Sequence, residues 1–183
     1  RYTLIEHLPY DRPNTTLADF ALCADCEREY RDPLDRRYHA EPTACPRCGP
    51  QVELRERDGS GGTAREAALK RALALLRAGA VLAVKGVGGY HLMCDARNEG
   101  AVHALRLRKR RPDKPLAVMF PRRGADGLAA VREEAAPSQS EAALIDSPAR
   151  PIVLVTRNPG SSLAPGIAPG LAEIGAFLPY SPL

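Results

Sequence analysis

Four cysteines carry the clearest chemistry in this chain. They stand in two like-spaced pairs, Cys23-Ala-Asp-Cys26 and Cys45-Pro-Arg-Cys48, in the pattern C-x2-C-x18-C-x2-C. Each pair offers two thiolates from one tight turn, and two such turns close a tetrahedron around zinc. Cys23, Cys26, Cys45 and Cys48 are therefore expected to hold one structural zinc ion. Two other readings were weighed. A pair of disulfides requires an oxidising compartment, and nothing else in the chain points to one. A redox C-x-x-C suits one motif better than two in tandem.

Two further groups of residues have the composition of an anion site. In Lys85-Gly-Val-Gly-Gly-Tyr-His91 a lysine ends an apolar run and a glycine-rich turn follows. Glycines let backbone N–H groups approach a phosphate, although such a turn on its own is more often a plain tight turn. Arg106, Arg108, Lys109, Arg110, Arg111 and Lys114 crowd into nine positions. The usual reading of such a run is a solvated basic face. Nucleic-acid contact is a second reading, and a site for a nucleoside triphosphate is a third. The prolines in Arg108-Lys-Arg-Arg-Pro-Asp-Lys-Pro-Leu116 favour the third, because they hold the cations in place. His7, His39 and His103 are expected to be structural or exposed, and His91 is the candidate site histidine. Cys94 is expected to be a small buried hydrophobe. No Ser-His-Asp arrangement or carboxylate pair stands out.

Around these residues the chain must build its elements. Residues 1–57 are rich in Pro, Asp and Arg and lack a long helical period, so the metal is expected to supply folding energy there. Residues 58–63, Asp-Gly-Ser-Gly-Gly-Thr, read as a linker. From 64 to 183 the pattern turns α/β. Thr63 is a candidate cap for a helix with Leu69, Leu73 and Leu76 on one face, and Gly79 is its stop. Ala80–Val84 reads as a buried strand. A helix from the Asn98 cap to about Lys109 follows, then a strand over 116–120, a helical stretch over 125–135 and a strand over 151–155. The Gly/Pro/Ser-rich stretch 159–170 reads as a loop that covers or lines a site. The length of 183 residues suits a medium domain plus a small module, and the net charge of +4 is mild. Trp is absent, no apolar run reaches the length of a membrane span, and the chain is expected to be a cytosolic piece of a longer polypeptide.

The residues resemble a known family. Leu8-Pro-Tyr-Asp-Arg-Pro-Asn-Thr-Thr16, the two cysteine pairs and Glu29-Tyr-Arg-Asp-Pro-Leu-Asp-Arg-Arg-Tyr-His-Ala40 are similar to the zinc-finger region of HypF, the carbamoyltransferase family of [NiFe] hydrogenase maturation. Lys85–Ala96, Arg108–Met119 and Ile174–Leu183 resemble its YrdC-like domain. The resemblance implies a second zinc finger followed by the first part of a YrdC-like domain with a twisted open sheet. It implies a parent enzyme that turns carbamoyl phosphate into carbamate, adenylates it with ATP and Mg2+, and passes the carbamoyl group to a C-terminal cysteine of HypE. Lys109 and Arg111 match the family's K-x-R motif and take the catalytic role. Lys85, Gly86, Tyr90, His91 and Lys114 are implied nucleotide-binding residues. Of the family's first finger only the tail, about Arg1 to Glu6, is expected here, and its acylphosphatase domain, its later S-x-N segment and its transfer domain have no counterpart. Two further readings stand beside this one: a zinc-stabilised module for double-stranded RNA, against which the sparse aromatics count, and a purely structural spacer.

Overall fold

Asn98 does what its position predicts. Its side chain accepts from the backbone N–H of Ala101 and starts α3, Glu99–Lys109, which ends where Arg110 takes a left-handed conformation at φ 50°. That residue belongs to a computed structural model that describes residues 3–59, 61–86 and 89–181. The chain divides into two compact units, one up to Ala72 and one from Leu73 onward.

In the first unit a short 3-10 turn at Arg12–Asn14 precedes helix α1, Ala24–Arg31. Strands β1, Glu53–Arg55, and β2, Gly62–Ala64, then pair antiparallel, with Leu54 opposite Thr63. Of the stretch expected as a linker, Gly62 and Thr63 lie in β2, and Ser60 lies outside the described residues. Thr63 lies in β2 and does not cap the next helix, which is a correction to the sequence reading. That helix, α2, spans Arg65–Arg77. Gly79, at φ 84°, ends it as expected. The N–H of Gly79 reaches Leu76 and that of Ala80 reaches Leu75, the paired bonds of a Schellman close. The apolar face fares differently: Leu69 and Leu73 remain 48% and 47% exposed, so this stripe is not buried.

In the second unit β3, Leu82–Gly86, and β4, Gly89–Met93, form an antiparallel hairpin. The expected buried strand is thus only half covered. Leu82, Val84 and Gly86 are partly buried and alternate with exposed Ala83 and Lys85, because among the described residues the hairpin bonds only to itself. Three more strands make a mixed sheet: β5, Ala117–Met119; β6, Val153–Thr156; and β7, Glu173–Phe177. β7 is central, parallel to β5 and antiparallel to β6. Its Ile174, Gly175 and Ala176 are buried, as a strand with neighbours on both edges requires. Helix α4, Ala129–Glu134, falls inside the expected 125–135 stretch. Helix α5, Gln139–Asp146, was not anticipated, although Ser138 and Glu141 form a reciprocal capping box that the sequence spells out. Val102, Val118, Phe120, Val131, Ile145, Val155, Ile174 and Leu178 are among the residues of one buried cluster. Leu163, Ala164, Ile167 and Ala168 belong to it too. The Gly/Pro/Ser-rich loop expected to line a site is thus anchored in the core, with a 3-10 turn at Pro165–Ile167.

Candidate functional site

The four cysteines converge. Their sulfurs all lie within 4.8 Å of one another. Cys23–Cys45, Cys45–Cys48 and Cys48–Cys26 are each 3.7 Å apart. Zinc bonded to thiolates at about 2.3 Å separates neighbouring sulfurs by about 3.8 Å in a tetrahedron, so the cluster fits that ion. It does not fit disulfides, whose sulfurs lie about 2.0 Å apart, and all the cysteines are free. His39 stays outside the set. Its ring lies 5.0 Å from Tyr30 and 4.6 Å from Tyr38, centroid to centroid.

The protons on this cluster are unevenly held. Hydrogen bonding from the Cys26 backbone and from Arg47 pulls the Cys23 thiol down to about 6, whereas burial pushes Cys26 up to about 12. Backbone bonds at the second turn lower Cys48. The turns themselves are fixed by backbone: the Gly49 N–H donates to Cys45 O, and the Arg47 N–H reaches the Cys45 sulfur at 3.3 Å. Arg47 also pairs with Asp25 at 2.9 Å. Behind them Arg12, with little exposed surface (9%), donates to the carbonyls of Glu41, Thr43 and Phe20 at 2.7, 2.7 and 2.8 Å. These carbonyls lie just ahead of Cys45 and Cys23, so one guanidinium sets the approach of both cysteine turns. Sequence reasoning missed it, since Arg12 is one letter among many arginines.

In the second unit Lys109 is the last residue of α3 and is exposed, as is Lys114. Arg111 is partly buried: its Nη2 donates to Pro115 O at 3.0 Å, while its Nε is buried with no protein partner among the described residues. Arg106, counted in the basic run, is 7% exposed and faces inward. Its Nη1 donates to the carbonyls of Arg111, Pro112 and Lys114 at 2.8, 2.7 and 3.1 Å. Its Nε and Nη2 reach Gly166 O at 2.7 Å and Ile167 O at 3.3 Å. The run is therefore not one solvated face: it contains an inner strut with exposed cations around it.

The hairpin sorts the remaining candidates. Lys85 stands opposite Tyr90, so the two share a face, while His91, opposite Val84, lies on the other. His91 Nε2 is 3.1 Å from the Tyr180 hydroxyl. A Cβ at Gly86 would meet the His91 ring at 2.9 Å, which gives that glycine a steric reason to be there. Val87 and Gly88 of the same motif lie outside the described residues. Cys94 is partly buried against the core and its thiol is raised by that burial. His7, His39 and His103 are exposed.

A buried carboxylate with several donors also went unread. Glu134, 3% exposed, accepts from Ser161 Oγ at 2.8 Å, from the Ser162 N–H at 2.7 Å and Oγ at 2.6 Å, and from Arg97 at 2.7 Å. Burial alone would raise this carboxyl. The bonds from Ser162, Ser161 and Arg97 overcome it and hold the group at about 2.

The comparisons with known proteins agree with this division. Residues 22–55 match the family described as the HypF finger, and residues 74–183 match the Sua5/YciO/YrdC family described as "Telomere recombination". The chain is 47% identical over its whole length to a carbamoyltransferase HypF of Rhodobacter capsulatus, of which it covers 23%. The crystal structure of T. kodakarensis HypF matches at a TM-score of 0.83 and 44% identity over 98% of this chain and 23% of that one. A full-length HypF in a phosphate- and nucleotide-bound form matches at 0.80 and 40% over 97% of this chain and 22% of that one. The chain thus spans about a quarter of the length of these relatives. It belongs to the HypF family, with a HypF finger followed by a domain of the Sua5/YciO/YrdC family.

Proposed function

We propose that this chain carries the finger and the nucleotide-activating region of an ATP-dependent carbamoyltransferase. The observation that supports this most is the loop after α3. Arg106 draws the loop carbonyls inward, and Lys109, Arg111 and Lys114 stand on the same backbone. The names of the relatives supply the group transferred, and the nucleotide-bound relative supports a nucleotide as co-substrate.

In this reading a carbamate oxygen attacks the α-phosphorus of ATP, and the bond to the bridging oxygen of pyrophosphate breaks. Carbamoyl adenylate and pyrophosphate result, with Mg2+ accompanying the triphosphate. Negative charge grows on the phosphate oxygens during attack. Lys109 and Arg111 stabilise it, Arg111 through the planar fork that matches two oxygens. Lys114 adds a point charge, and the positive field lets two anions approach. Lys85 and Tyr90 on one face of the hairpin, and Gly86 and His91 on the other, with His91 held by Tyr180, border the nucleotide. The sulfur of the C-terminal cysteine of a HypE-type acceptor in the cytoplasm then attacks the carbamoyl carbon, the bond from that carbon to the phosphate oxygen breaks, and AMP leaves. The four-cysteine centre holds zinc as a structural ion and takes no part in the chemistry. In domain terms, 1–57 is the finger module and 64–183 belongs to the activating domain.

The test is carbamoyl-phosphate-dependent exchange of pyrophosphate into ATP by the full-length protein. Lys109→Ala or Arg111→Ala is expected to lower exchange by about 100-fold or more, the usual effect of removing one charge-stabilising donor. Unchanged exchange in both variants would sink the phosphate-site assignment.

A further inference from the structure

We propose that Arg106 is a positioning residue for the phosphate-binding loop: it shapes the backbone on which Lys109, Arg111 and Lys114 stand without touching the nucleotide. This rests on the reading of that loop given under Proposed function.

Arg106 is built into the interior, and among the described residues every hydrogen-bond partner of its side chain is a backbone carbonyl. Three of these carbonyls, from Arg111, Pro112 and Lys114, belong to the loop, and two, from Gly166 and Ile167, belong to the core-anchored turn. The guanidinium therefore staples the loop to a fixed support. The Arg111 N–H adds a bond to Arg106 O at 3.1 Å, and the Leu116 N–H reaches Ile167 O at 2.9 Å, so one end of the loop is tied to α3 and the other to the turn. The support packs closely on α3: the Gly166 N–H donates to Glu99 at 3.0 Å, and a Cβ at Gly166 would meet Glu99 Oε1 at 2.7 Å and Val102 at 3.0 Å.

Two electrostatic consequences favour an anion outside the loop. Carbonyl oxygens carry partial negative charge, and here they are turned toward Arg106 in the interior. Among the described residues no carboxylate forms an ion pair with Arg106. Its full charge then adds to the potential of the loop. Only arginine presents five N–H groups in a rigid fork, so lysine cannot reproduce this set of partners.

The experiment uses the full-length, zinc-loaded protein and the same exchange assay. Arg106→Lys is expected to raise KM for ATP by about 10-fold and to lower kcat as well, because the displaced cations both hold the triphosphate and stabilise the charge that grows on it, while KM for carbamoyl phosphate stays unchanged. Arg106→Gln is expected to do more. A merely structural role would lower the active fraction, and hence kcat, without moving KM. Gly166→Ala, which displaces the support but keeps the guanidinium, is expected to raise KM for ATP in the same direction by a smaller factor. It carries the decision with Arg106→Lys if Arg106→Gln does not fold. Unmoved KM values in both, at a temperature where both are folded, overturn the proposal. Failure of the underlying reading looks different: Lys109→Ala and Arg111→Ala then leave the exchange itself untouched.

Discussion

The two units of the chain each place a guanidinium under a working loop, yet they differ in what else holds them. Arg12 gathers three carbonyls beneath the cysteine turns, and Arg106 gathers five beneath the cationic loop. In the first unit, however, the buried apolar residues are Leu17, Cys26 and Ala68, among those described. In the second, an apolar cluster runs from Val102 to Leu178. An arginine strut organises backbone but brings little apolar burial of its own, so the first unit is expected to depend on a metal at its cysteines for cohesion and the second is not.

Metal removal breaks this comparison most sharply. Chelation of zinc at neutral pH is expected to unfold the cysteine unit, since zinc binding is worth on the order of 10 kcal/mol in small metal-built folds. The amide signals of the unit beyond Leu73 should persist. Loss of both sets together would show that the second unit has no independent core. A smaller effect comes from Arg12→Met. Two buried carbonyls and a partly buried one then lose their donor, which is expected to cost about 3 kcal/mol. Zinc competition and melting of the cysteine unit measure it, and an unaltered zinc affinity would contradict the role given to Arg12.

The smallest expected effect probes the second unit alone. The folded-state carboxyl of Glu134 is held at about 2, below its ordinary value of 4.5. A depressed carboxylate stabilises the fold above its unfolded value and loses that contribution as pH falls. Stability of this unit should therefore be flat above about pH 5 and decline between about pH 4.5 and 2. Glu134→Gln is expected to cost about 2 kcal/mol at neutral pH and to flatten the decline, as read by denaturant midpoints across pH. An unchanged acid slope in the variant would assign the decline to other carboxylates.

These contrasts also explain what the sequence disclosed. The cysteine spacing was legible because ligand geometry demands it, and Asn98 and Gly79 were legible because caps act on their own neighbours. The partial exposure of β3 was not, since an apolar run reads the same whether one face or two are covered. Neither Arg12 nor Arg106 was legible: a buried arginine and a solvated one are the same letter, and only the carbonyls around it tell them apart. Glu134 was hidden for the same reason, its partners Ser161 and Ser162 lying 27 and 28 positions away. The capping box at Ser138 and Glu141 was in plain view and simply went unread.

The carbonyls around Arg106 have one more consequence. Buried carbonyls that lack a protein donor are commonly served by ordered water, which exchanges and must be reorganised when a ligand arrives. Here the donor is attached to the chain. The carbonyls of Arg111, Pro112 and Lys114 thus carry a donor that is covalently tethered to the chain and cannot exchange with solvent.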